Sequence, residues 1–352
     1  MSPVTTAYSA GITIEHPGLL STIQDRGRFG LRHLGIPWSG ALTPVWQRMA
    51  NALVGNPLDD SIIECFEGGL RFHTFGAPIR IATLAAADMI MKLGTTDGTV
   101  SLRPGRSYTL PANTTVSLLS TGRFRHALIA VQGIQAVSQL GSTSTYAKAG
   151  LGGIGGHALS VGVSLEVSAS PQGPETQCAV APPMDYLSTI LRVVMGPQDD
   201  HFSASGQEAF LSGDYQLSTD VDRMGARLTG TAIEHRDEAA RDIVSDAIVP
   251  GSIQVPGNGQ PIVLLNDAHT AGGYPKIATV ISIDLPLLGL QRPGSSFRFK
   301  AMSLEEAIDA VREHETMVKG VIERISPVKE SAISSESLFS SNLIDGVTDG
   351  FI

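Results

Sequence analysis

Cysteine is nearly absent from this chain: Cys65 and Cys178 are the only two among 352 residues, far apart and in no metal-like spacing. That excludes a disulfide framework and a cysteine-built zinc site, and it fits a reducing compartment. Uncharged runs are also short, and none approaches the roughly 18 apolar residues that a membrane-crossing helix needs. The first ten residues lack both a basic n-region and an apolar h-region, so a cytoplasmic protein with no membrane partner is expected. Basic charge is scarce, with 25 Lys and Arg against 34 Asp and Glu and a formal charge of −9. Gripping nucleic acid takes clustered cations, so no nucleic-acid partner is expected either. The chain has no Gly-Lys dipeptide, which removes the Walker phosphate loop. Nine histidines include no HExxH pair and no Gly-x-Ser-x-Gly elbow occurs, so neither a metal site nor an α/β serine hydrolase is expected.

What is present is glycine, at 38 residues, and a 42% hydrophobic content delivered in short runs of Val, Ile, Leu and Ala. That pattern predicts a mainly β architecture of closely spaced strands and tight turns, in two domains of about 150 residues. Strands are predicted at residues 79–83, 100–102, 108–110, 116–119 and 128–131, and along the period-two run Leu159, Val161, Val163, Leu165, Val167. Thr43-Pro44 opens a helix with Thr43 as the cap, Val45, Met49, Ala52 and Leu53 on one face, and Gly55-Asn56-Pro57 as its stop. A capping box at Ser303 and Glu306 starts a long helix to about Ile325. An N-terminal β domain at 10–170, a Pro- and Ser-rich linker at 171–187, a C-terminal domain at 188–326 and a disordered tail at 327–352 complete the expected layout.

The richest stretch is residues 266–276, where Asn266, Asp267, His269, Tyr274 and Lys276 surround Gly272-Gly273 just after the apolar run 262–265. The glycine pair is expected to adopt torsions closed to other residues and so to fix Lys276 and His269 in place. Asp267 precedes His269 by two residues, which on an extended segment puts both on one face and lets the carboxylate orient the ring. Residues 220–228 hold two acids and two arginines around Gly225; Arg223 or Arg227 is a candidate anion clamp, with a hairpin-pinning Asp222 to Arg223 network as the alternative. Asp25 sits in Gln24-Asp25-Arg26-Gly27-Arg28 as a hydrogen-bond acceptor or a turn cap. Gln254, opposite in phase to Ile253 and Val255, presents an amide able to hold a lactam or ureido group. Gly150-Leu151-Gly152-Gly153-Ile154-Gly155 matches the dinucleotide fingerprint formally, but a strand pattern follows it where that motif requires a helix.

Taken in order, residues 17–28, Ser39-Gly40-Ala41, residues 50–57, residues 140–145, Arg223-Met224-Gly225, residues 251–256 and residues 270–278 resemble the allophanate hydrolase subunit 2 family over roughly residues 12–310. That family includes the C subunit of bacterial ATP-dependent 5-oxoprolinase, a Kip-type antagonist of a kinase inhibitor, and part of the carboxyltransferase region of urea carboxylase. The resemblance implies two β-barrel-like domains of cyclophilin-like type with a few short helices and the long C-terminal one. It also implies a companion subunit 1 (B subunit) and an A subunit, a small amide or ureide substrate, ATP used within the complex, and biotin if the chain is a carboxyltransferase. Asp25, Arg223, Gln254, Tyr274 and Lys276 match the family pattern. On that resemblance Lys276 and Arg223 steady charge on oxygen, Asp267 or His269 manages a proton, Gln254 orients the ring amide, and Asp25, Tyr274, Gly272 and Gly273 shape the substrate site. The chain departs at Thr43, where an acid is usual, at Ser142-Thr143-Ser144-Thr145-Tyr146, where Ser-Arg-Ser-Thr-Asp is usual, and at Asp267-Ala268-His269-Thr270-Ala271, where Asp-Arg-Gln-Thr-Thr is usual.

Overall fold

A computed structural model describes residues 10–95, 98–167, 177–178 and 186–327. The chain is mainly β. In its first half, one six-stranded sheet runs in the order Ser164–Val167, Ala10–Pro17, Leu70–Phe75, Thr115–Ser120, Ile90–Thr95, Gly98–Leu102. A seven-stranded sheet runs Leu20–Gln24, Ile62–Phe66, His126–Val131, Ile79–Leu84, Arg106–Leu110, Gln177–Cys178, Ser326–Pro327. Ile12, Phe72 and Val116 of the first meet Ile63, Ile81 and Ile129 of the second in one apolar cluster, so the sheets face each other across it.

Strand periodicity explains what covers the other face of the seven-stranded sheet. In His126–Val131, Ala127, Ile129 and Val131 join the cluster between the sheets, whereas Leu128 and Ala130 point the opposite way into a second core. Helix α1 (Pro44–Val54) lies on that side, burying Trp46, Met49, Leu53 and Val54. Gly55 ends the helix in the left-handed region at φ 81°. Thr43 occupies the cap position as expected but its hydroxyl does not cap; it bonds the buried His126 Nε2 at 3.1 Å instead.

The second half closes into a barrel in the order Ile190–Met195, Lys276–Val280, Ser252–Gln254, Ile262–Leu264, Gly225–Gly230, Tyr215–Val221, Ser296–Ala301, with the last returning to the first in parallel. Leu191, Tyr215, Leu228, Ile253 and Phe297 fill it and belong to the same core as α1, so the two halves share one apolar interior. Helix α2 (Ala204–Ser212), capped by Ser203 accepting from Gly206 N at 3.0 Å, lies in the polar stretch that periodicity left without an element. It buries only Gly206 and Phe210, too little apolar surface to leave a helical signature. After α3 (Leu285–Leu290), the long α4 (Leu304–Glu323) has both arms of the expected capping box and packs Val318 and Val321 into the core. Leu304 and Met317 of the same helix are exposed.

The alternating run from Leu159 is a strand only over Ser164–Val167. Gly162, at φ 85°, makes the turn before it, and Val161 stands 67% exposed. The expected linker falls largely on residues 171–176 and 179–185, and the expected tail on residues beyond 327, outside the described residues.

Candidate functional site

Side chains alternate across a strand, so the inward residues that fill the barrel leave an outward row on the same three strands. Ala226 and Leu228 are buried inside and Arg227 is exposed between them; Val263 and Ile253 point in, and Ile262 and Gln254 point out. A two-stranded ribbon, Asp246–Ala247 paired with Ala271–Gly272, arches over this outer face. Between ribbon and barrel lies a cavity of about 650 Å³ lined by Gln254, Ile262, Arg227, His269, Gly272 and Tyr274 among others. Its floor is apolar, because Ile248, Leu264 and Ala268 form a small cluster of their own with Ile262 packed against it.

Six of the residues singled out from the sequence meet here: Arg227, Gln254, His269, Gly272, Gly273 and Tyr274. Gln254 Nε2 donates to Tyr274 O at 3.3 Å. A Cβ on Gly272 would come within 2.5 Å of that same Nε2, so a larger residue there would push the Gln254 amide aside. The expectation that the pair supplies unusual torsions is corrected, since neither Gly272 nor Gly273 has a positive φ. His269 is exposed at the cavity edge and Tyr274 is 41% exposed.

The remaining four are brought to other places. Lys276 is 2% exposed and spans from the barrel to the ribbon, donating to Asp246 Oδ2 at 2.6 Å and Ala247 O at 2.7 Å. Gln198 Nε2 adds a bond to the same Asp246 oxygen at 3.0 Å. The ammonium beside Asp246 holds that carboxyl below its usual range. Lys276 therefore ties down the cavity's roof from beneath.

Arg223 is buried at the seam between the halves. Its Nε and Nη2 donate to Asp267 at 3.0 and 3.2 Å, its Nη2 to Gly40 O at 2.6 Å and Gln24 Oε1 at 3.3 Å, and its Nη1 to Glu64, whose other oxygen accepts from Leu42 N at 2.9 Å. Burial alone would lower the pKa of this guanidinium, but Asp267 and Glu64 outweigh it and the net direction is up. With every nitrogen engaged inside the protein, Arg223 is corrected from substrate clamp to buried crosslink. The alternative pairing with Asp222 is not formed either: Asp222 Oδ1 accepts from Met224 N and Gly225 N at 2.7 and 3.1 Å. Asp267 lies in a turn, buried against Arg223 and away from the exposed His269, so the expected Asp267 to His269 relay gives way to this ion pair. Asp25 accepts from Ser142 Oγ at 2.6 Å, Ser144 Oγ at 2.5 Å, Thr143 N at 2.7 Å and Gly27 N at 2.8 Å. Burial opposes its ionisation, yet these four donors keep its carboxyl below the ordinary range. Asp25 knits loops together and does not line this cavity.

Sequence reasoning missed Arg32, whose Nη2 donates to Ile248 O at 2.7 Å and His269 O at 2.6 Å and so braces the cavity from the other half. It also missed Asp246 and Gln198. No local pattern marks any of the three; their partners lie far along the chain. The Gly150 to Gly156 segment is a loop: a Cβ on Gly152 would meet Ser144 O at 2.0 Å and one on Gly153 would meet Thr145 Oγ1 at 2.1 Å, so these two glycines serve close packing. The next element after it is the strand Ser164–Val167, where a dinucleotide fingerprint would need a helix.

The chain is 33% identical to the C subunit of 5-oxoprolinase from Escherichia coli over 306 residues, covering 86% of this chain and 95% of that protein. It is 27% identical to urea amidolyase of Lachancea kluyveri across 95% of its own length but only 20% of that protein's. The crystal structure of Kluyveromyces lactis urea carboxylase has the same fold, with a TM-score of 0.81 at 21% identity over 90% of this chain and 30% of that one. Residues 34–301 match the family model described as the carboxyltransferase domain, subdomain A and B, and the chain belongs to that family.

Proposed function

We propose that this chain is the C subunit of a 5-oxoprolinase-type complex, which opens the lactam 5-oxoproline to glutamate at the expense of ATP together with companion A and B subunits in the cytoplasm. The observation that carries this reading is the identity to the C subunit of a 5-oxoprolinase along nearly that protein's whole length. The cavity supports it chemically. Gln254 offers a carboxamide to a ring amide, the apolar floor suits a small ring, and His269 stands exposed at the edge with an imidazole able to give or take a proton. Lactam amides resist water, and ATP supplies the driving force for making a better acyl electrophile. The sequence has no Walker phosphate loop, and in the glycine-rich loop Gly152 and Gly153 are packed against Ser144 and Thr145. ATP is therefore assigned to the companion subunits, and the part of this chain is to bind and orient the lactam. Lys276 supports that part by holding the ribbon.

A second reading is carboxyl transfer to a urea-like acceptor, with biotin delivered by a separate carrier; the similarity to urea amidolyase favours it. Under it Gln254 would hold a ureido ring. A purely regulatory, non-catalytic binding role is the third. Co-expression with the companion subunits and measurement of glutamate released from 5-oxoproline separates them. The expected outcome is release that requires ATP and all subunits, with the isolated chain inactive. An intact complex that releases no glutamate overturns the reading.

A further inference from the structure

The cavity's outward row has a chemical order. In register, Arg227 stands opposite Ile262, and Ile262 stands opposite Gln254, so a guanidinium, an apolar side chain and a carboxamide occupy adjacent strands. Two strand spacings place the outer pair about 10 Å apart at their Cα atoms, and both side chains are long enough to close on a small ring between them.

Among the described residues Arg227 is the only Lys or Arg lining the cavity, and it forms no salt bridge. The other cations nearby are engaged: Arg223 by Glu64 and Asp267, Lys276 by Asp246, and Arg32 by two carbonyls. Two carboxylates share the rim with Arg227. Asp222 is occupied by the amides of Met224 and Gly225, and Asp220 does not reach the guanidinium. At the far end of the row, Gln254 gives its Nε2 to Tyr274 O, and its Oε1 has no partner among the described residues. That oxygen is free to accept from an amide N–H. A planar fork with no anion of its own, sharing an apolar floor with an amide acceptor, matches a small ring that carries both an N–H and a carboxylate.

We infer that Arg227 recognises the substrate carboxylate, and that the ligand rests its ring on Ile262 with its N–H given to Gln254 and the carboxylate of the neighbouring ring carbon turned to Arg227. This rests on the function proposed above and adds to it what makes the site selective for charged lactams over neutral ones.

The test is equilibrium binding, without ATP, to the complex and to the full chain alone, using 5-oxoproline and its uncharged counterpart 2-pyrrolidinone. The unaltered protein is expected to prefer 5-oxoproline by roughly 10- to 100-fold, the range for a charge-assisted bidentate pair. Arg227→Gln should erase that preference while leaving 2-pyrrolidinone binding unchanged, and Arg227→Lys should restore part of it. A preference that survives in R227Q overturns the inference, as does failure of the unaltered protein to bind 5-oxoproline. Equal loss of both ligands in R227Q, with the fold intact, also overturns it by showing a structural role. The two proposals fail differently. Arg227-dependent binding without glutamate release removes the lactam-opening function and keeps the carboxylate site; ATP-dependent release with an unchanged KM in R227Q does the reverse.

Discussion

Two arginines four residues apart carry opposite duties. Arg223 is buried where Glu64, at 0% exposure, and Asp267 converge, and Arg227 stands in the open on the strand that follows. Removing the buried one leaves two carboxylates facing each other in a dry seam, and breaking a buried ion pair from one side costs about 3–5 kcal/mol. Arg223→Met should therefore lower stability by that order in urea unfolding, whereas Arg227→Gln should stay within about 0.5 kcal/mol of the unaltered protein. An R223M midpoint equal to that of the unaltered protein would return Arg223 to the list of ligand contacts. The two arginines could not be told apart from local sequence, because Glu64 lies 159 residues from Arg223. The alternation of Ala226, Arg227 and Leu228 was the one available sign, and it does point Arg227 outward.

At the level of elements, the roof of the cavity is a ribbon of two strands of two residues each, too short to hold itself in place. Its tether is the Lys276 to Asp246 contact with Gln198 alongside. Lys276→Ala and Asp246→Asn should each weaken 5-oxoproline binding about 10-fold, and the double variant should be little worse than either, since both cut one tether. Additive losses in that cycle would give Lys276 a separate contact with the ligand. Elements with strong internal signals were legible in the sequence: α1 with its proline start and glycine stop, α4 with its capping box, and the strands at 79–84 and 126–131. The ribbon was not, because its strands owe their existence to a lysine beneath them and to no propensity of their own. Helix α2 escaped for the related reason that it buries so little.

Across the whole molecule, the halves are joined by a continuous core and by charges drawn from both. His126 lies within this join, fully buried between Thr43, Trp46 and Phe66, and within the fields of Glu64, Arg223 and Arg125. Burial, which outweighs the opposing pull of Glu64, lowers its pKa from the ordinary histidine value. The unfolded chain therefore takes up protons as pH falls through about 6.5 and the folded chain does not, so stability is full above that pH and declines below it. His126→Gln should flatten the fall in unfolding free energy between pH 7 and 5. His314, also shifted downward by burial, would keep part of the slope. An identical pH profile in H126Q would show that the join is indifferent to this proton. The same join depends on where the chain enters and leaves the barrel. Gln177–Cys178 pairs with Ser326–Pro327, so the incoming and outgoing threads are stitched together one strand spacing apart. Tension applied at Ala10 and Pro327 would load that two-residue ladder alongside the shared core and the Arg223 to Glu64 crosslink, so the three would have to part together before the barrel strands were drawn out.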